Sequence, residues 1–522
     1  MLILTGDVVT FDPKQPHVAD GAVYIGDDEL IAAVQPAAAP APAGFENVPR
    51  VDTGGVIYPG LIDLHNHIAY NVVALWQPRD RTTPYTSRTQ WPDNAGYGPD
   101  IKVPTLTLAQ LAGKAVIRYV ETKAVIGGVT AIQGAARTYQ PFDGWLVRNV
   151  EYETFGGQVP LAHQSVVTLH DENAFARAQR QMAGGSAFIY HLSEGTSPLL
   201  VREYTAMDDH QCVGPRLIGI HCTALGDDQF TDWEPNAGTV VWSPFSNLWL
   251  YHDTTKVDHA VEHGLRVCLG ADWSPSGSKS LLGELKVADI WNRHHLNNAF
   301  TPRQLCEMAT CNPADAVGWT DHLGRLRKGL RGDVLVTTRR SGDPYRNLIS
   351  ATEADVQLVA INGQPFYGTP QLMQAAGAQN ADAIQVAGQD RRIVLVYSGV
   401  QGADIHWDEV LSTIEDVRMH PQQAHAQLRA SLAVGEEPIR LRPDKPWDDP
   451  MQRRGRAAVQ PPEMEPVLEG TMTLPPLDTL TPDAAYFDAI AASPILDGLL
   501  DDLAGYYPAP VPAPAPVRPA AV

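Results

Sequence analysis

Between residues 56 and 273 the chain repeats one pattern eight times: a short β-rich run bounded by Gly, Pro or Asp. The runs are VIYPGLIDLHNH, GVTAIQG, WLVRNVEYE, SVVTLHD, FIYHLSE, RLIGIHC, TVVWSP and LRVCLGADW. Segments with helical spacing of apolar residues, LAQLAGKAVIRYVETKAVI, NAFARAQRQM and KVDHAVEHG, fall between some of them. Strand alternating with helix predicts an α/β fold with a parallel sheet, and eight such units predict a closed (β/α)₈ TIM-like barrel. Barrels of this kind do their chemistry at the C-terminal ends of their strands.

The ionisable residues sit at those ends. The first run closes on His65 and His67, two residues apart, so that in a strand both imidazoles would face one point. An H-x-H pair alone is as readily a polar strand end as a metal site. His191 and Glu194 end the fifth run, His221 the sixth and Asp272 the eighth. Singly, each has a structural reading as a strand-end hydrogen bonder or a helix cap. Jointly, on one rim, they suit a divalent metal with nitrogen and oxygen ligands beside an acid/base pair.

Composition removes several classes. A formal charge of −21 argues against nucleic acid as a partner, since phosphate binding needs clustered Lys and Arg. Five cysteines, widely spaced apart from Cys306 and Cys311, make neither a disulfide framework nor a C-x-x-C site, which points to free thiols in the cytoplasm. The start, MLILTGDVVTFDP, lacks a basic n-region, and no run reaches the roughly 18 apolar residues needed to span a bilayer. The expected partner is a small-molecule substrate. Homo-oligomerisation is left open.

Around the barrel, assigned to 55–318, residues 1–54 and 319–370 read as the two parts of a small flanking β-sandwich. Residues 371–506 form a C-terminal extension, mostly helical, with a strand in RRIVLVYSGV, a helix in WDEVLSTIEDVRM and an exposed loop in RPDKPWDDPMQRRGR. Residues 507–522 are a Pro/Ala tail expected to be disordered. An insert at 68–104, carrying Tyr70, Trp76, Tyr85, Trp91 and Tyr97, follows the first strand and reads as a loop covering the substrate.

PGLIDLHNH, HLSEG, IHC, SPFSN, GADWSPSG, CNPADAVG and GRLRKGLRGDVLV, in that order over residues 1 to 370, resemble the amidohydrolase superfamily, nearest its cytosine deaminase and triazine hydrolase branch. The resemblance implies a distorted barrel with one catalytic metal, Zn²⁺ or else Fe²⁺. It places metal ligands at His65, His67, His191 and Asp272, a proton shuttle at Glu194 and a substrate-polarising residue at His221, with Asp272 also taking a proton. The fourth run, SVVTLHD, lacks the Lys that bridges two metals in binuclear branches, which favours one ion. Asp63, Ser243 and Asn247 are candidates to support the site, with core packing or strand-end capping as the plainer role. The loop after Asp272, with Trp273, Ser274 and Lys279, would read the leaving group.

The implied reaction is hydrolysis of a carbon–nitrogen bond other than a peptide bond. A small amide, cyclic amide or amidine is favoured because the aromatic insert suggests a bulky substrate. Deamination of an N-heterocycle is the alternative. A non-catalytic scaffold would show missing ligands, and every position is filled. Phosphoester hydrolysis at two metals is disfavoured by the absent Lys.

Overall fold

The computed structural model describes residues 1–135, 137–139, 142–233, 238–397, 399, 403–436, 438–444, 474–479 and 484–507. The Pro/Ala tail from 508 onward and most of the RPDKPWDDPMQRRGR loop lie outside the described residues.

Eight parallel strands carry the site: β1 (Leu61–Asp63), β2 (Val129–Ile132), β3 (Arg148–Asn149), β4 (His163–Ser165), β5 (Phe188–Leu192), β6 (Leu217–His221), β7 (Thr239–Trp242) and β8 (Arg266–Leu269). Each falls within or at the edge of one of the eight β-rich runs. β1 to β3 pair in one sheet and β4 to β8 in another, all in parallel. The two sheets meet where β1 adjoins β8. Leu64 N donates to Leu269 O at 3.3 Å, Asp272 N to His65 O at 2.9 Å, and His67 N to Asp272 O at 2.8 Å. Ile62, Leu64, Ala131, Ile189, Ile218, Ile220, Val241 and Cys268 pack as one buried cluster along these strands.

Between β3 and β4 no backbone ladder forms among the described residues. The chain also makes no helix between β2 and β4 there. With no helix to press the strands together, a cavity of about 1290 Å³ opens along this seam. β4 lies a few residues ahead of the SVVTLHD run, and WLVRNVEYE keeps only two paired residues.

The first run divides in two. Arg50–Pro59 belongs to the flanking sheet, and only Leu61–Asp63 belongs to β1. The break falls at Gly60, where a Cβ would lie 2.2 Å from Thr130 Oγ1 on β2. His65 and His67 therefore stand beyond the strand end.

The expected sandwich is, in its hydrogen bonding, one nine-stranded sheet. Leu2–Val9, His17–Ile25, Ile31–Pro36 and Arg50–Pro59 join Val334–Thr337, Val356–Ile361 and Gln364–Gly368. Ala381–Val386 and Gln389–Val394 extend it, so the C-terminal region contributes strands as well as the helix Trp407–Met419. Among the described residues no helix is long and apolar enough to cross a membrane.

Candidate metal centre

The six residues singled out at strand ends converge. His65 Nε2 lies 3.1 Å from Asp272 Oδ1, and His67 Nε2 lies 3.7 Å from the same oxygen. The His65 ring centroid is 4.7 Å from that of His191, 5.1 Å from His221 and 5.0 Å from His67. Glu194 Oε2 is 3.8 Å from His221 Nε2. Two sets of ligand atoms could hold an ion, His65–His191–His221 and His65–His67–Asp272, sharing His65. All six side chains are buried except that of His67, which is 11% exposed.

The backbone aims these groups. His221, Cys222 and Asp272 take φ of 65°, 52° and 61°, and Ser193 takes 53°. Left-handed conformations in such residues are uncommon, cost of order 1–3 kcal/mol each and gather at functional sites. Here they turn the chain at the ends of β5, β6 and β8, where His191, Glu194, His221 and Asp272 lie.

A metal fits this donor set. Although His65 Nε2 faces Asp272 Oδ1 at 3.1 Å, it has no hydrogen-bond partner among the described residues. A buried, unpartnered ring nitrogen beside a carboxylate is the arrangement of two ligands flanking one ion. Charge tells the same story. Burial, reinforced by the neighbouring His65, His67 and His221, holds the His191 pKa well below its ordinary value. Burial drops His221 to about 3. Both rings are therefore neutral, the form that ligates or hydrogen-bonds. Burial opposes ionisation of Asp272, yet His65 and the other imidazoles outweigh it and keep the carboxylate ionised. Burial also works against a proton on His65, but Asp272 outweighs it and raises the pKa.

Two amides set the tautomers of two histidines. Trp242 Nε1, a donor only, donates to Thr254 Oγ1 at 2.7 Å, and Thr254 Oγ1 then donates to Asn247 Oδ1 at 3.2 Å. This leaves Asn247 Nδ2 to donate to His221 Nδ1 at 2.9 Å. The neutral His221 ring thus carries its proton on Nε2, which faces Glu194. His65 is held the opposite way. Gln133 Nε2 donates to Glu151 Oε1 at 2.7 Å and to Gln164 Oε1 at 3.0 Å, so Gln133 Oε1 accepts from His65 Nδ1 at 3.3 Å. In its neutral form His65 presents a lone pair at Nε2, whereas neutral His221 presents a hydrogen there. The first suits a ligand and the second a donor to substrate.

Glu194 is braced by Tyr251, whose OH donates to Oε1 at 2.6 Å. Burial raises the Glu194 pKa, and Arg88 and Tyr251 only partly offset it. Asp63 accepts from His65 N at 3.3 Å, Ala271 N at 3.1 Å and Asn66 Nδ2 at 3.0 Å, tying the β1 end to the β8 end. Burial raises its pKa to about 6. Ser243 Oγ is buried without a partner among the described residues and touches none of these groups by hydrogen bond. Ser274 bonds Asn71 and Lys123, and Lys279 Nζ bonds Asp478 O at 3.3 Å, so both face away from the cavity that Trp273 lines.

That cavity measures about 30 Å³, and Tyr70, Arg88 and Trp91 of the insert line it beside His67, His191, Glu194, His221, Asp272 and Trp273. Nothing in the sequence marks Gln133, Tyr251 or Arg88 as site residues. A neutral amide or a phenol inside an apolar run carries no motif.

The model of the amidohydrolase family matches residues 201–366, which include His221, Asn247 and Asp272. Over those residues the chain is similar to the amidohydrolase family, and the proteins it resembles include deaminases and a triazine hydrolase. Among its relatives is a 5'-deoxyadenosine deaminase of Methanosarcina mazei, 22% identical over 415 residues, covering 70% of this chain and 92% of that one. An adenosine deaminase of Xanthomonas campestris with bound zinc superposes with a TM-score of 0.55 at 18% identity, covering 82% of this chain and 98% of the other. A variant atrazine chlorohydrolase of Arthrobacter aurescens, complexed with zinc and atraton, gives 0.53 at 20% identity, over 70% and 95%.

Proposed function

We propose that this chain is a metal-dependent hydrolase that uses water to cleave a carbon–nitrogen bond, other than a peptide bond, in a small flat N-heterocycle, releasing ammonia. The observation that carries it is the sorting of His65 and His221 around Asp272: lone-pair ligands on one side, a hydrogen-bond donor and a buried acid on the other.

His65, His67, His191 and Asp272 would hold one divalent ion, zinc ahead of Fe²⁺, at the C-terminal ends of a barrel-like ring of eight strands left open between β3 and β4. Bound there, such an ion lowers the pKa of water from 15.7 toward about 7. Asp272, ionised and 3% exposed, takes up a proton at a carboxylate oxygen. Glu194, protonated more readily than an ordinary carboxyl, passes its proton to the leaving nitrogen. His221 Nε2–H holds the substituent on the carbon under attack. Trp91, Trp273 and Tyr70 offer flat walls to a ring.

The sequence leaned toward a bulkier amide because of the insert. The insert packs down instead of enlarging the site, and about 30 Å³ is room for a water or two. Substrate entry then needs the insert to move, the behaviour of a lid. A closed site with aromatic walls, and deaminases among the relatives, support the heterocycle over the amide. Five free, buried cysteines fit a cytoplasmic setting.

The test is metal content by plasma mass spectrometry beside an ammonia-release screen over N-heterocycles, amides and N-acyl amines. One zinc or iron per chain with ammonia from a heterocycle supports the proposal. An amine or acid without ammonia moves the reaction to amide hydrolysis. No metal after reconstitution with Zn²⁺ and Fe²⁺ defeats it.

A further inference from the structure

The family match ends at residue 366, and the region beyond it reaches back to the metal centre. Leu441–Arg442 pairs antiparallel with Arg137–Thr138, just past β2. Tyr139 N donates to Arg440 O at 3.1 Å, and the Arg440 and Arg442 guanidinium groups stand 4.5 and 4.9 Å from the Tyr139 ring centroid. Leu441 is buried. The segment lies directly on the helix Gly113–Ile126, since a Cβ on Gly113 would come within 2.3 Å of Ile439 O. Pro443 then restricts the chain into Asp444.

Asp444 is anchored through its backbone, and its side chain faces His67. Its carbonyl accepts from Tyr70 OH, and its Oδ2 lies 3.6 Å from His67 Nδ1. The other ring nitrogen, Nε2, is the one that faces Asp272 at 3.7 Å. A carboxylate behind a metal-binding imidazole fixes the ring's orientation, keeps the proton on the far nitrogen and strengthens the near one as a ligand. We infer that Asp444 is a positioning residue of the metal centre, so that the C-terminal region completes the site by setting a carboxylate behind His67. This rests on the reading of His67 as a ligand. The two histidines of the H-x-H pair then differ: His65 is backed by the neutral Gln133 and His67 by an anion.

The experiment is zinc release from the zinc-loaded full-length protein into excess chromogenic chelator. Asp444→Asn keeps the side chain's shape but removes its charge, and it is expected to weaken zinc retention about 10–100-fold, the range for such partners. Asp444→Glu restores part of the loss. Arg442→Gln, which alters the docked strand but not the carboxylate, releases zinc at the wild-type rate. Wild-type protein that holds zinc, with Asp444→Asn releasing it equally slowly, overturns this inference alone. So does equal acceleration by Arg442→Gln, which would make the contact one of strand docking. Wild-type protein that takes up no zinc overturns the metal-centre reading and this inference with it.

Discussion

Glu194→Gln separates chemistry from packing more cleanly than any other change at this site. The amide keeps the carboxyl's shape, and its Oε1 can still accept from Tyr251 OH, 2.6 Å away in the native protein. What it loses is the transferable proton. A positioned acid contributes about 10²–10⁴-fold. Among the described residues no carboxylate other than Asp272 lines the cavity beside Glu194, so none there stands ready to replace it. A loss of about 10³-fold in kcat follows, or about 4 kcal/mol at about 1.36 kcal/mol per tenfold. Zinc content stays at the wild-type value. Stability moves the other way. Burial raises the Glu194 pKa in the folded protein, so the native state holds a proton that the unfolded chain releases. Wild-type stability from this group is full below the unfolded carboxyl value and is lost as pH climbs through the raised one. Gln has no such loss. In the metal-free proteins the variant should match wild type at about pH 4, near the unperturbed carboxyl pKa, and melt higher at about pH 8. Turnover within tenfold of wild type would refute the proton-transfer role. A melting difference that stays flat, or shrinks, as pH rises would refute the burial argument.

Tyr251→Phe removes a hydrogen bond that favours the Glu194 carboxylate, so it raises the Glu194 pKa further. If Glu194 acts as an acid, the alkaline limb of the kcat/KM profile moves to higher pH; an unmoved limb would place the titration elsewhere. His221→Gln should retain zinc and lose about 10²–10³-fold in kcat, the scale for a donor to developing charge. Loss of zinc with that variant would instead put His221 in the ligand set. Gly270→Ala should cost zinc binding and lower the melting temperature, because the new Cβ would stand 2.5 Å from His65 Cβ and 2.8 Å from His65 N. Normal zinc content would show that β1 and β8 have slack there.

The eight strands were legible because each is a short apolar run closed by Gly, Pro or a charged residue, a pattern that survives without knowledge of its neighbours. Their exact limits were not. Arg50–Pro59 and Leu61–Asp63 read as one strand, since nothing local says that Gly60 must pass against Thr130. The failed alternation around β3 depends on which segments do not become helices, and a turn-rich stretch looks the same beside an open seam or a closed one. The ionisable groups of the centre were legible because His, Glu and Asp are rare at apolar strand ends. Gln133, Tyr251 and Asn247 act through hydrogen bonds across the fold, with separations of 57 residues for Tyr251–Glu194 and 68 for Gln133–His65. Only the assembled structure shows such pairs.

Those neutral residues decide more than the ionisable ones do. His65, His191 and His221 are chemically identical, buried alike and within 5.5 Å of one another by ring centroid. Distance alone gives two overlapping triads and no means of choosing between them. The choice comes from behind. An amide oxygen at His65 Nδ1 leaves Nε2 free to bind an ion, while an amide N–H at His221 Nδ1 puts a proton on Nε2 that an ion would have to displace. Each amide is oriented in turn: one oxygen accepts from Thr254, which takes the indole N–H of Trp242, and the other amide donates to the Glu151 oxygen that also accepts from Gly134 N. Reversing either histidine would therefore mean breaking the hydrogen bonds that hold its amide. On the proposed reading, the difference between ligand and proton donor comes from amides that would touch neither metal nor substrate.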